Sequence, residues 1–167
     1  MRGPRAAALL GAVVLGLGGT TAAYAATTNS ASGAGALDGG KRHFSFSVKQ
    51  NADGTVKGQA QLTNKAFKGQ NGTSPYKLQI KISCMKVFGN TAYFGGTTKR
   101  TNDPNLVDAV YFAVQDNGEP GKRVDKISRV FFFDDDPKTT GDPQLCRRNK
   151  DGDFQLEKIQ SGNIQVK

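Results

Sequence analysis

The chain has 167 residues, a formal net charge of +9, two cysteines, one histidine and no tryptophan. This length suits one ordinary domain with a core of its own. The composition argues against a zinc site, which takes three or four cysteine or histidine ligands. It also argues against a basic tail, because the basic residues are scattered and form no block of five like charges.

Residues 1–25 have the three-part pattern of a secretory signal peptide. Two arginines precede an uncharged stretch from Ala6 to Leu17, and Ala23-Tyr24-Ala25 follows as a cleavage pattern. The apolar stretch is shorter than the roughly 20 residues that span a bilayer as a helix. Cleavage after Ala25 would remove two of the 23 basic residues and lower the net charge from +9 to about +7. The alternative is an uncleaved membrane anchor.

Residues 26–40 are small and polar, with a single leucine in "TTNSASGAGALDGG". This composition is typical of a flexible spacer. The sequence therefore predicts a flexible leader at 26–40, followed by one domain at 41–167.

The domain begins with alternating apolar and polar residues. In "HFSFSVKQ" the apolar side chains of Phe44, Phe46 and Val48 fall on one face, which predicts a half-buried strand. "NADG" is a turn signal, and "TVKGQAQLTN" alternates again. Residues 42–64 are therefore predicted to form a β-hairpin.

Two further hairpins follow in the same style. "YKLQIKISC" and "TAYFGGTTK" flank the turn "FGN", and "LVDAVYFAVQ" and "VDKISRVFFF" flank "DNGEPG". In the last of these strands we expect Ile127, Phe131 and Phe133 on one face and Val130 and Phe132 on the other. Residues 134–152 are predicted to be a loop, and "GNIQVK" a last short strand.

The order of these segments predicts an all-β fold, either a single antiparallel β-barrel or a tight β-sandwich built from consecutive hairpins. Pairing of the last strand with the first would remove an exposed edge and favours the barrel. Cys84 and Cys146 are predicted to form one disulfide, because an exported chain with two cysteines does so most simply. The bond would be worth roughly 4 kcal/mol on the chain-entropy model.

The acidic stretch "FFFDDDP" and the later "NKDGDF" raise the question of a calcium site. An EF-hand loop with Gly152 at position 6 places Asn149 and Asp151 correctly, but Arg147 and Lys158 fall where acidic ligands belong. The first stretch is explained by a buried strand that ends at a solvated loop. Pro137 has no backbone N–H group and cannot continue the hydrogen bonding between strands. We therefore predict no metal and no cofactor, with calcium in the acidic loop as the alternative.

The hairpin tip "DNGEPG" gathers Asp116, Asn117 and Glu119, with Asp125 close on the returning strand. Two carboxylates of this kind could act as acid and base in a hydrolase. Asn-Gly is also a preferred turn pair, so a plain turn is the competing interpretation. His43 lies on the polar face of the first hairpin without a G-x-S-x-G motif, which argues against a catalytic triad.

The segments "DGTVKGQAQLTN", "ISCMKVFGNTAYFGG", "VYFAVQDNGEPG", "DKISRVFFF" and "GNIQV", in this order, resemble a group of small secreted bacterial proteins. The resemblance covers residues 40–167. It implies an exported all-β domain of one piece. It implies no activity and no functional residues.

Outward lysines give the most concrete expectation about a partner. Lys77 and Lys81 share one side of a strand, and Lys57 and Lys49 occupy the polar faces of the strands before it. If these strands are neighbours, their lysines form one basic surface, which either binds polyanions or protects the sheet from aggregation.

The sequence thus favours a secreted, non-catalytic β module that binds anionic material at or near the cell surface. The alternative is a small secreted hydrolase using the carboxylates of the Asp116–Asp125 hairpin. After cleavage we expect no insertion of the mature domain into the membrane.

Overall fold

The computed structural model describes residues 28–68, 72, 74–103, 108–133 and 141–167. The predicted signal peptide and the acidic triplet 134–136 lie outside these ranges. Ten strands and two 3₁₀ helices make up the described part: β1 (Ser30–Leu37), a 3₁₀ turn (Asp38–Gly40), β2 (Arg42–Gln50), β3 (Val56–Asn64), β4 (Tyr76–Phe88), β5 (Thr91–Thr101), β6 (Ala109–Gln115), β7 (Lys126–Ser128), β8 (Phe131–Phe132), a 3₁₀ helix (Pro143–Arg148), β9 (Leu156–Lys158) and β10 (Ser161–Val166).

All ten strands belong to one sheet, in the order β10-β1-β2-β3-β4-β5-β6-β7-β9, with β8 added beside β6. Every pairing is antiparallel. The sheet curls into a half-barrel, so the predicted all-β fold is confirmed. No helix among the described residues is long and apolar enough to cross a membrane.

The core fills the concave side of the curled sheet. Alternating residues of β2, β3 and β4 point inward, as the period of two in their sequences predicts. At the centre Phe94 lies between Phe46 and Phe112, with ring centroids 5.5 and 4.8 Å away. These tilted aromatic contacts join β2, β5 and β6 across the interior.

The predicted flexible leader is wrong for Ser30–Leu37, which form β1. This strand lies between β10 and β2 and pairs with both along nearly its whole length. Small residues are required here because a Cβ at Gly33 or Gly35 would collide with the Phe46 or Phe44 ring. The small residues of β1, which are typical of a spacer, are thus explained by close packing of this strand against the Phe44 and Phe46 rings. The last strand, β10, pairs with β1 and not with the first predicted strand.

The third predicted hairpin forms, but its return strand is broken. β7 pairs with Val114 and Gln115, β8 pairs with Val110 and Tyr111, and Arg129–Val130 lie between them outside the ladder. The interruption shifts the alternation by one residue. Ile127 and Phe132 therefore face the interior, whereas Phe131 and Phe133 are exposed, which corrects the expected faces.

A second layer covers part of the convex side. The 3₁₀ helix at Pro143–Arg148, in a region predicted to be loop, packs on β4 and β5. The predicted disulfide between Cys84 and Cys146 is present and attaches this helix to β4. Gly95 lies directly beneath, where a Cβ would meet the Pro143 carbonyl group. This cover explains why the first six residues of β5 are buried on both faces.

Candidate functional site

The acidic hairpin between β6 and β7 uses its carboxylates to close the sheet. Asp125 is fully buried, and its two oxygens accept hydrogen bonds from the backbone N–H groups of Asn117 and Ile164, each at 2.8 Å. The second bond reaches β10, at the other end of the strand order. A buried carboxylate with both oxygens bonded to N–H groups replaces a missing strand partner.

Asp116 and Glu119 extend this connection. One Asp116 oxygen accepts from the backbone N–H of Val166 at 3.0 Å, and the other accepts from Gly118 within the turn. Glu119 Oε1 accepts from the side-chain amide of Asn163 at 2.7 Å. Three carboxylates of one hairpin therefore hold β10 in place.

Asn117 has a structural role in the same hairpin, since its amide donates to the Val124 carbonyl group at 2.8 Å. The structure thus brings Asp116, Asn117, Glu119 and Asp125 together, as predicted, but it engages them in bonds to the protein itself. None of the four lines the cavity beside Tyr76 or the shallower one beside Phe154. This geometry gives the hydrolase alternative no support.

The described residues contain no group of three or more histidine, cysteine, aspartate or glutamate side chains that could hold a metal ion. Asp142 caps the 3₁₀ helix by accepting from the Gln144 N–H, and Asp153 accepts from the Lys150 N–H within its own turn. The rest of the candidate calcium loop, residues 134–140, lies outside the described ranges.

The predicted lysine surface exists on the convex side of β2, β3 and β4. These strands are consecutive in the sheet, and Lys49, Lys57, Lys77 and Lys81 are all exposed. Lys49 lies directly opposite Lys57, and Lys81 opposite Gln59. We call these four lysines the basic face.

The strands of this region carry no acidic residue, and Asp53 interacts with Lys57 from the turn between β2 and β3. The strands β1 to β5 contain eight lysines and arginines and not a single aspartate or glutamate. The carboxylates of the described part lie in the turns and in the segments after β5. Charge is therefore segregated within the sheet, although the two signs are mixed along the chain.

A cavity of about 690 Å³ opens at the end of the half-barrel where β2 begins, β3 ends and β4 begins. The inner residues of these strands form one wall, and residues 127–130 with Phe132 form the other. The acidic hairpin connects to β10 near the opposite end, because Val166 pairs with Ala31, and Ala31 pairs with Val48. The cavity and the carboxylate cluster are thus separate features.

An ionic network stands at the mouth of this cavity. Arg42 bonds to Asp38 and to both oxygens of Glu157, and Arg129 Nε donates to Glu157 Oε1 at 3.1 Å. The hydrogen bond from Arg42 lowers the pKa of Glu157, and Arg129 lowers this pKa further. His43 lies at the same rim and is exposed.

Tyr76 forms part of the cavity wall. Its side chain is buried, and burial raises its pKa to about 12, with the Asp103 carboxylate adding to the shift. The hydroxyl group has no hydrogen bond of ordinary geometry. The nearby Thr101 side chain offsets part of this rise in the pKa.

Sequence reasoning missed the cavity and its mouth. Arg42 was visible only as the first residue of a strand, and Glu157 lies 115 positions away in a segment assigned to no strand. The pairing of β1 with β2 and β10 is needed to bring them together, and the composition of β1 predicts a spacer. The sequence carries no local signal for such a contact.

No protein-family model, no curated protein and no solved structure matches this chain. The disulfide is typical of proteins from oxidising compartments. The interpretation of function therefore depends on the geometry of the basic face, the acidic hairpin and the cavity.

Proposed function

We propose that the protein is an exported, non-catalytic binding module that attaches to anionic polymers through its basic face. The observation that carries the proposal is that the strands β1 to β5 contain no acidic side chain. Asp53 in the turn between β2 and β3 interacts with Lys57, but the lysines of the basic face outnumber it, which gives this surface a positive potential that attracts polyanions.

Electrostatic repulsion between the lysines destabilises the free protein, and a bound polyanion would offset it. Like charges directly opposite each other on neighbouring strands are destabilising, and Lys49 faces Lys57 in this way. A bound polyanion would relieve that repulsion. Protection of a sheet edge does not account for these lysines, because β2, β3 and β4 each have a neighbour on both sides.

Heparin resin provides the test. We expect the wild-type protein to be retained and to elute with salt, and a variant with Lys49, Lys57, Lys77 and Lys81 changed to glutamine to elute at clearly lower salt. Lysine binds anions as a point charge, so the interaction is screened steeply by salt. Cell-wall polymers such as teichoic acid, in a pull-down, give the second readout.

The matched control removes the same charge from elsewhere on the surface. Lys122, Lys150, Lys158 and Lys167 are also exposed and lie outside the basic face. Their replacement by glutamine should shift elution much less. Equal shifts for the two quadruple variants would mean that only net charge matters, and the proposal would be rejected.

Export rests on the predicted signal peptide and on the disulfide. Cleavage after Ala25 would leave β1, which begins at Ser30, complete. The expected result is an intact mass of secreted protein that corresponds to residues 26–167 with one disulfide. A secreted species that begins after Gly40, or material that stays with the cells, would contradict this expectation.

A further inference from the structure

The cavity at the end of the half-barrel has the size and the lining of a ligand site. Its volume of about 690 Å³ lies within the roughly 300–1,000 Å³ of small-molecule sites. Phe44, Leu62 and Leu78 line one wall, and Ile127 and Phe132 line the other. An open, mostly apolar space of this size is typical of sites that bury a small ligand.

Two arginines and two carboxylates meet at the mouth of the cavity. Arg42, Arg129 and Asp38 line it, and Glu157 bonds to both arginines. Arg42 is engaged by Asp38 and Glu157. Arg129 donates a hydrogen bond to Glu157 through its Nε only, and its side chain is 75 % exposed.

The two terminal nitrogens of the Arg129 guanidinium group have no partner among the described residues. A guanidinium group presents its donors in a planar fork that fits a carboxylate. Arg129 therefore keeps two donor nitrogens for a further carboxylate at the rim of an apolar cavity, although its Nε is already paired with Glu157. The neighbouring Arg42 is engaged by both Asp38 and Glu157.

We propose that this cavity binds a small amphipathic carboxylate, with its alkyl chain against the apolar walls and its carboxylate on Arg129. The apolar chain would leave water as it enters the cavity, which supplies the main driving force. The arginine then selects acids over neutral molecules of the same length. The inference does not rest on the proposed polyanion binding, since the basic face lies on the convex side of the sheet and the cavity on the concave side.

The absence of tryptophan from the chain makes a direct measurement possible. Phe132→Trp places a single fluorescent reporter in the cavity wall with little change of size. We expect dodecanoate, added below its micelle concentration, to shift and saturate the emission of this variant. Phe88→Trp is the matched control, because Phe88 is 65 % exposed and lies outside the cavity, and its emission should not change.

The role of Arg129 is tested in the Phe132→Trp background. Arg129→Gln should weaken dodecanoate binding by about tenfold, the order expected for one charge-assisted contact. Arg148→Gln removes an exposed arginine outside the cavity and should leave the affinity unchanged. Because Arg129 is largely exposed, its replacement should not affect folding, which unchanged thermal unfolding would verify.

Several results would overturn the proposal. One is an unchanged Phe132→Trp spectrum in a variant that unfolds cooperatively like the wild type. Another is equal affinity for dodecanol and dodecanoate, or equal weakening by the two arginine variants, since the carboxylate would then not be recognised. Retention of Phe132→Trp on heparin resin is expected to equal that of the wild type, so failure of this proposal and failure of polyanion binding are distinguishable.

Discussion

Asp125 shows how much a single buried side chain can decide in this fold. Its carboxylate takes the place of a strand that would otherwise have to pair with this edge of β10. Hydrogen bonds from backbone N–H groups to a charged carboxylate are stronger than those to a neutral acceptor. A buried N–H group without a partner destabilises the fold. A residue that resembled a catalytic acid in the sequence therefore has its oxygens occupied in holding the sheet together.

Asp125→Asn is predicted to lower the free energy of unfolding by about 3 kcal/mol, because an amide has one acceptor oxygen and must turn an NH₂ group toward one of two buried N–H donors. Urea unfolding at neutral pH measures this. Glu119→Gln is the control, because it removes the same charge from an exposed position of this hairpin and keeps Oε1 as an acceptor. It should lower the free energy of unfolding by less than about 0.5 kcal/mol. Similar losses for the two variants would contradict the structural role of Asp125.

At the scale of elements, β1 is a strand with a partner on each side although its sequence does not alternate like a strand. It contributes Ala31, Ala36 and Leu37 to the buried residues and covers the facing edges of both β2 and β10. Removing it would expose two unpaired edges and part of the core at once.

A chain of residues 41–167 is therefore predicted not to fold cooperatively, in contrast to a chain of residues 26–167. Far-UV circular dichroism and thermal unfolding compare the two directly. If residues 28–40 were a spacer, the shorter chain would melt within a few degrees of the longer one, and β1 would have no place in the stable sheet.

At the scale of the whole molecule, charge is divided between a basic half of the sheet and turns that hold the acids. The ionic contacts that do form join distant parts of the chain. Arg42 of β2 and Glu157 of β9 are separated by most of the strand order, and their contact ties the curled sheet together across the mouth of the cavity.

This contact predicts how stability changes with acid. Arg42 lowers the pKa of Glu157 below its ordinary value of 4.5 in the folded protein. The contribution of Glu157 is therefore complete above about pH 4.5 and is lost as the pH falls through the lowered folded-state value. We expect Glu157→Gln to lower the free energy of unfolding by about 1 kcal/mol at pH 7. Between about pH 5 and pH 3 the free energy of unfolding of this variant should fall less steeply than that of the wild type. Parallel declines for the variant and the wild type, in urea unfolding at each pH, would show that the pair adds nothing.

The amino-acid sequence by itself determined the all-β class, the three hairpins, the last strand and the disulfide. The strands and hairpins depend on local information, namely alternation with a period of two and turn residues such as Asp53-Gly54. The disulfide joins residues 62 positions apart and was predictable because the chain has only two cysteines. The exposed lysines of β2 to β4 also followed from alternation once those strands were recognised.

Only the tertiary structure decided what β1, the acidic hairpin and the cavity are. Small residues in β1 have no alternating pattern, because the space for their side chains is taken by Phe44 and Phe46 of the next strand. The partners of Asp125 and Glu157 lie 39 and 115 positions away, so no local motif connects them. A cavity is what remains between distant walls after the strands have packed, and its shape depends on the registers of strands that were not all visible in the sequence.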